Sequence, residues 1–176
     1  MFQHWSISIL ALLLLVTLPG EAQAEEIIRR EGEPEAHLFR GDDPNMLAAY
    51  KAARGSVDGL IERLPKLQRA GVYASVKVPV EENGQVEHIW LDDIRFGEGQ
   101  VHGALGNAPI NLPSWSLGDP ISVPLQRISD WMVVYKDRLI GGYTLFVTRG
   151  RLQGEERESF DRQVGLIFPE KPKSFE

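Results

Sequence analysis

The clearest structural pattern in the chain lies between Ile128 and Val147, where two apolar runs flank a short polar segment. The runs are DWMVVY and GYTLFV, and Lys136-Asp137-Arg138 lies between them. Runs of β-branched and aromatic residues around a short loop predict a β-hairpin. In the first run both alternating sets of side chains are apolar, which predicts a strand that is covered on both faces. Gly141-Gly142, before the second run, predicts a bend or bulge, as at the corner of a small barrel.

A second pattern, with a period of three to four residues, predicts a helix from Asp43 to Leu64. Asp42-Asp43-Pro44 provides a capping acid followed by a proline that suits the first turn of a helix. The apolar positions that would pack on a sheet are Met46, Tyr50, Ala53, Val57, Leu60 and Leu64.

Two glycines interrupt this helix, because Gly55 and Gly59 each cost about 1 kcal/mol relative to alanine in a helix interior. The segment is therefore predicted to be two helices, or one that breaks near Gly55-Ser56. Pro65 is predicted at or just past its end.

Short strands follow from residue 72 onward. YASVKVPV and QVEHIWL flank Glu81-Glu82-Asn83-Gly84, and Asn-Gly is a strong hairpin signal. IRF, QVHGAL and ISVPL continue the series, with Gly97-Glu98-Gly99 as a turn. The predicted fold class is α+β: an N-terminal helix packed on a small, strongly bent antiparallel sheet, with an SH3-like barrel as the closed alternative and a short C-terminal helix.

The first 24 residues have the layout of a signal peptide. An apolar stretch from Ile7 to Leu18 precedes a Pro-Gly break and Ala22-Gln23-Ala24, so cleavage is predicted before Glu25. Such a stretch is shorter than the roughly 20 residues that span a bilayer, so no stable membrane span is expected after cleavage.

Four parts of the chain are predicted. Residues 1–24 are the signal peptide, residues 25–41 a flexible leader, residues 42–148 the α+β domain and residues 149–176 a C-terminal extension. Within the extension, one or two helical turns are expected around Phe160 and Val164, followed by a frayed tail, PEKPKSFE.

Composition limits the chemistry. The chain has no cysteine, which excludes disulfides, thiolate nucleophiles and thiolate metal sites. After residue 24 it carries 19 basic and 24 acidic residues, a net charge of −5, which argues against a nucleic-acid partner. No cofactor motif occurs after the signal segment, and no cofactor is predicted.

His88 and Trp90 form the sharpest local pair, because alternate residues of a strand share one face. They could line a groove, or they could be a hydrogen-bonded histidine and a packed core tryptophan. Glu87 and His88 with Asp130 could form an acid–base set, although adjacent strand residues point to opposite faces. A metal site formed with His102 lacks recognisable ligand spacing, so no metal site is predicted.

Other candidate binding residues lie near the predicted loops and strand ends. Asn107, Asp130, Trp131 and Tyr143 provide amide, carboxylate and aromatic groups. The simpler alternative for Asn107 and Asp130 is a side chain that hydrogen-bonds the backbone of a turn. No catalytic residue is assigned.

An ordered set of short motifs carries a family resemblance. The set comprises Asp43-Pro44-x-Met46, Glu87-His88-x-Trp90, Gly103-x-Leu105-x-Asn107-x-Pro109, Gly118-Asp119, Ile128-Ser129-Asp130-Trp131-Met132 and Gly142-Tyr143-Thr144. In these residues the chain resembles the YegJ-like bacterial family, a domain of unknown function, over roughly residues 40 to 148. The resemblance implies no established catalytic residue, cofactor or substrate.

Together these features predict an exported binding or interaction module, periplasmic or secreted. Its partner would be a protein, as for an inhibitor or a toxin immunity protein, or an envelope ligand such as a glycan or peptide. The alternative is a small envelope hydrolase that uses His88 with a carboxylate.

Overall fold

The computed structural model describes residues 26–28, 36–38 and 43–175. The predicted signal peptide lies outside the described residues. The predicted leader is described only at β1 (Glu26–Ile28) and β2 (Ala36–Leu38), which pair as a two-stranded antiparallel sheet.

A single helix, α1 (Pro44–Arg69), follows this small sheet. The Asp43 carboxylate caps it, with Oδ1 accepting from the backbone N–H groups of Asn45 and Met46 at 3.0 Å each. The predicted break does not occur, and Pro65 lies inside the helix rather than at its end. The buried stripe on one face of α1 gives the packing that outweighs the low helix propensity of these positions.

The main sheet has six strands in the order β6-β5-β4-β3-β7-β8, and every neighbouring pair is antiparallel. The strands are β3 (Tyr73–Glu82), β4 (Gln85–Gly97), β5 (Gln100–Leu105), β6 (Pro120–Pro124), β7 (Asp130–Tyr135) and β8 (Arg138–Gly141). The α+β prediction is confirmed. Within residues 43–175 the sheet is open, since β6 and β8 do not pair, so the closed SH3-like barrel does not form.

A bulge bends the longest strand. The predicted strands QVEHIWL and IRF are one strand, β4, whose pairing with β5 shifts register between Asp92 and Arg95. Asp93 has a φ of 52°, and an extra residue of this kind increases the local bend and twist. Gly103 lies opposite, where a Cβ atom would come 2.8 Å from the backbone oxygen of Asp92, so the bulge requires a glycine there.

The predicted hairpin forms and its first strand is confirmed, but its second strand is not the predicted one. β7 and β8 are joined by a two-residue turn at Lys136 and Asp137, with φ angles of 51° and 61°. The second run, GYTLFV, forms no strand, because helix α2 (Tyr143–Arg151) begins there. Gly141 and Gly142 have φ angles of 74° and 67°, which turn the chain out of the sheet.

The core lies between α1 and one face of the sheet. The predicted stripe is confirmed, although Tyr50 is only half-buried. The buried apolar residues that pack together from α1, β3, β4 and β7 include Ala53, Val57, Leu60, Leu64, Val76, Val78, Val80, Ile89, Leu91, Trp131 and Val133.

The C-terminal region packs against the rest of the molecule. Helix α3 (Gly154–Val164) is joined to α2 by a two-bonded ion pair from Arg149 to Asp161, at 2.7 and 2.9 Å. The expectation of a frayed tail is wrong for the described residues. Gly141 N donates to Lys173 O, and the Phe175 ring stacks on Trp131 with the ring centroids 5.5 Å apart.

Candidate functional site

Asp130 occupies a fully buried position where β7 meets α2. Its Oδ1 accepts from the backbone N–H groups of Trp131 at 2.8 Å and Tyr143 at 3.1 Å. Its Oδ2 accepts from Thr144 N at 2.7 Å and Thr144 Oγ1 at 2.6 Å. Burial raises the pKa of Asp130 to about 6, although these hydrogen bonds oppose the rise. The carboxylate therefore acts as the N-terminal cap of a helix that starts 13 residues further along the chain.

Two more predicted candidate residues, Trp131 and Tyr143, lie where α1, β7 and α2 meet, close to Asp130. The Trp131 indole N–H donates to Ala53 O at 3.2 Å and to Ser56 Oγ at 3.1 Å. The Tyr143 hydroxyl hydrogen-bonds Ser56 Oγ at 2.8 Å, and its ring meets Trp131 edge-on. These contacts join α1, β7 and α2, so in this structure the polar atoms of Trp131 and Tyr143 hold elements together.

His88 lies half-buried between α1 and the start of β7. Its ring stacks on Tyr50 with the centroids 4.8 Å apart, and Nδ1 hydrogen-bonds Ser129 Oγ at 2.8 Å. Burial, together with the positive charge of Lys77, lowers the pKa of His88 to about 4. Among the described residues no carboxylate forms a hydrogen bond or ion pair with His88, so the structure does not assemble the predicted acid–base set.

Glu87 and Asn107 anchor the loop that follows β5. The Glu87 carboxylate accepts from the backbone N–H groups of Ile110, at 2.8 Å, and of Asn111. Asn107 Oδ1 accepts from Trp90 N at 3.2 Å. The backbone-bonding alternative for Asn107 is thus the arrangement observed, on an exposed residue.

An apolar groove of about 380 Å³ lies on the sheet face opposite α1. We call it the outer groove; its lining is Tyr73, Trp90, Met132, Val134, Leu145, Val164 and Leu166. Residues of β3, β4 and β7 form its floor. Leu145 of α2, Val164 at the end of α3 and Leu166 just after α3 form its wall. Trp90 is the one predicted candidate residue that lines it.

The register of the sheet brings the strand residues of the groove together. Tyr73 pairs with Val134, and Ser75 pairs with Met132 on the same face. The Ser75 side chain is fully buried beneath this face and donates to Leu91 O at 2.8 Å.

Lys77 lies next along the same face and provides a charge beside the groove. It pairs with Trp90 on β4 and with Asp130 on β7, and its Nζ lies 5.4 Å from the centre of the Trp90 ring. Burial lowers the pKa of Lys77, and the negative charge of Asp130 partly offsets this effect. Among the described residues, no oxygen accepts a hydrogen bond from Nζ.

Tyr73 provides the polar group at the other end. Its hydroxyl donates to Asp92 Oδ1 at 2.6 Å. Burial, and then this hydrogen bond, raise the pKa of Tyr73 to about 12. Tyr73 as a residue is 45% exposed, so the outer groove opens to solvent at this end.

A second groove, of about 350 Å³, lies on β5 and β6 beside the bulge and is more polar. Asp93, Arg95, His102 and Ser122 line it, and His102 Nδ1 hydrogen-bonds Ser122 Oγ at 2.7 Å. Within the described part of the chain, no group of three or more His, Asp or Glu side chains could hold a metal ion. In the same residues, no helix is long and apolar enough to cross a membrane.

Comparison with known sequences places the chain in a family. The profile of a bacterial family described as "Uncharacterized protein conserved in bacteria (DUF2314)" matches residues 43–168. The chain belongs to this family. The matched region begins at the cap of α1 and includes the whole outer groove.

Two curated relatives of this DUF2314 chain are similar to it over part of their length. The protein YegJ of Escherichia coli K12 is 34% identical over 118 residues, which cover 65% of this chain and 76% of YegJ. A Neisseria meningitidis serogroup B protein that carries an ankyrin repeat name is 38% identical over 100 residues. That match covers 54% of this chain and 40% of the Neisseria protein. No solved structure matches.

The sequence alone does not identify most residues of the outer groove as site residues. Met132 and Val134 belong to a predicted strand, and Leu145 lies in a second run whose composition also predicts a strand. One signal was available, because the apolar character of both faces of DWMVVY predicts a covering layer beyond the core. The register that places Ser75 beside Met132 was not readable from the sequence.

Proposed function

We propose that this DUF2314 protein is an exported envelope module that binds a partner or ligand through the outer groove. In this proposal the signal peptide, residues 1–24, directs the chain to the periplasm or the exterior. Inhibition of, or immunity to, a toxin is one role that fits a small acidic module of this kind.

The observation that carries the proposal is the outer groove itself. Its volume of about 380 Å³ falls in the range of small ligand pockets, and its lining is almost entirely apolar. Trp90 contributes a half-buried aromatic surface, and aromatic residues are favoured in binding sites. The groove is open on the Tyr73 side, so a ligand or a partner side chain has access.

The arrangement of polar groups supports binding over hydrolysis. A general base near neutral pH works best with a pKa near 7, whereas His88 has a pKa of about 4 and pairs with Ser129. The Asp130 carboxylate is already bonded to four donors of β7 and α2. The contacts of His88 and Asp130 therefore fit a structural role better than a catalytic one.

One relative adds a separate argument. The Neisseria protein carries an ankyrin repeat name, and this chain matches 40% of its length. Ankyrin repeats stack into extended surfaces that bind partners. The similarity of this chain to part of a protein with that name supports a module used in recognition.

Affinity capture tests the proposal. Protein recovered from the envelope fraction is immobilised and exposed to envelope extract, beside Leu166→Glu, which places a carboxylate in the groove wall, and Ile167→Glu. Ile167 is the matched control, because it is the next residue, is 49% exposed and does not line the groove. We expect the parent and Ile167→Glu to retain the same molecule and Leu166→Glu to lose it.

Two results would reject the proposal. One is equal retention by all three proteins. The other is no retention by the folded parent together with turnover in a hydrolase screen that His88→Ala abolishes, since that result favours the hydrolase alternative.

A further inference from the structure

The outer groove has an apolar lining, and beside it, over the Trp90 ring, lies the Lys77 ammonium group, which has no hydrogen-bonding acceptor among the described residues. The Lys77 Nζ lies over the Trp90 ring, and the face of an aromatic ring only partly replaces the water that a buried ammonium loses. The nearby Asp130 carboxylate is bonded to backbone and hydroxyl donors instead. An anionic group bound here would give Lys77 the acceptor that the protein does not provide.

The order of side chains along the sheet determines which end of the groove favours the anionic group of a ligand. On β3, Tyr73, Ser75 and Lys77 share one face, so a tyrosine lies at one end of this row and an ammonium group at the other. At the Tyr73 end the Asp92 carboxylate is present and would repel an anion. The anionic group of a ligand is therefore favoured at the Lys77 end, and the apolar surface extends from there along Met132, Val134 and Leu166.

We propose that the outer groove binds a carboxylate that carries a single apolar chain, such as a medium-chain fatty acid, with its carboxylate on Lys77. This inference rests on the proposed function and adds a ligand class to it. The chain would pack against Trp90, Met132 and Leu145, and burial of each methylene group adds to affinity. The carboxylate would form a charge-assisted hydrogen bond, about twice as strong as one between neutral groups.

The test compares three ligands that each carry a straight apolar chain of nine or ten carbon atoms, at pH 7 and below their micelle concentration or solubility limit. Decanoate, 1-decanol and decyltrimethylammonium are titrated against the whole exported protein by calorimetry. We expect decanoate to bind about tenfold or more tightly than decanol, because a hydrogen bond to a charged group has that effect, and the cation to bind weakest.

Variants assign the preference to Lys77. Lys77→Met should make decanoate no better than decanol, while Lys77→Arg should restore the preference. If Lys77→Met does not fold, the methyl NMR signal of Met132 in the parent provides the second measurement: decanoate should shift it, and the Met46 signal in α1 should stay unchanged.

Failure of this inference can be separated from failure of the proposed function. Equal affinity for decanoate and decanol in the parent, or a Met132 signal that decanoate leaves unchanged, overturns the carboxylate proposal. The proposed function still stands in that case if Leu166→Glu loses the captured envelope molecule. If Leu166→Glu captures as much as the parent, the groove itself is rejected.

Discussion

At the scale of single residues, the half-buried His88 and the buried Asp130 have opposite pKa shifts. The pKa of His88 is lowered to about 4, so the folded state disfavours its protonated form. The pKa of Asp130 is raised to about 6, so the folded state favours its neutral form. Protonation of His88 therefore destabilises the fold as pH falls, while protonation of Asp130 acts in the other direction.

The effect of His88 predicts a pH dependence with a defined sign. An unfolded histidine titrates near 6.5, so between about pH 6.5 and 4 the unfolded state binds more protons at this residue than the folded state does. The contribution of His88 to the free energy of unfolding should therefore fall over this window, while that of Asp130 should rise. His88→Gln should remove the His88 contribution, so the parent minus variant difference in the free energy of unfolding should fall as the pH is lowered, as measured by urea unfolding at a series of pH values.

The matched control for this measurement is His102→Gln, which leaves His88 in place. Because Asp130 is present in all three proteins, its opposing contribution cancels in the difference between parent and variant. An equally steep fall in the parent and in His88→Gln would show that His88 does not carry the acid sensitivity.

At the scale of elements, α1 is held to the sheet by the apolar stripe on one of its faces. Leu60 is 0% exposed in the middle of this stripe, whereas Leu47, on the same helix, is 47% exposed. Leu60→Ala should lower the free energy of unfolding by about 2 to 5 kcal/mol through lost burial and a residual cavity. Leu47→Ala should change it little, and chemical denaturation measures both. A Leu60→Ala protein as stable as Leu47→Ala would contradict the packing of α1.

The elements also show what the sequence could and could not predict. The period of the α1 stripe and the Asn83-Gly84 turn are local signals, and both the helix and the hairpin form, although α1 is unbroken and continues past Pro65. GYTLFV has the composition of a strand, yet it is helical because Gly141-Gly142 turns the chain and Asp130, distant in sequence, caps the new helix. Long-range contacts of this kind override local propensity.

The candidate site was less predictable than the fold for the same reason. Trp90 could be singled out as a half-buried aromatic on a strand, and it does line the outer groove. Its neighbours there come from β3, β7, α2, the end of α3 and the segment after α3. The register of the sheet and the packing of the helices bring them together, and neither is encoded in a local pattern. Asp130, Trp131 and Tyr143 are close to one another, but their polar groups face the junction of α1, β7 and α2.

At the scale of the whole molecule, export is the prediction that residues 1–24 carry. The apolar stretch from Ile7 to Leu18 and the Ala22-Gln23-Ala24 site predict a mature chain that begins at Glu25. N-terminal sequencing of protein from the envelope fraction should therefore read Glu-Glu-Ile-Ile. Recovery of soluble cytoplasmic protein that retains Met1 to Ala24 would refute export by this signal.

Binding in the outer groove can be tested directly with the methionines of the chain. The sequence has three methionines, and after cleavage only Met46 and Met132 remain. Met132 lines the groove, while Met46 is buried at 4% exposure in α1. The mature protein labelled with ¹³C-methyl methionine thus reports the groove with one signal and the core with the other.

Titration of this labelled protein with the lipid and peptide fractions of envelope extract is the decisive measurement. Binding in the outer groove predicts that the Met132 signal shifts or broadens while the Met46 signal stays in place, and that Leu166→Glu abolishes the change. A Met132 signal that no fraction moves, or one that moves equally in Leu166→Glu, would contradict the groove as the binding surface.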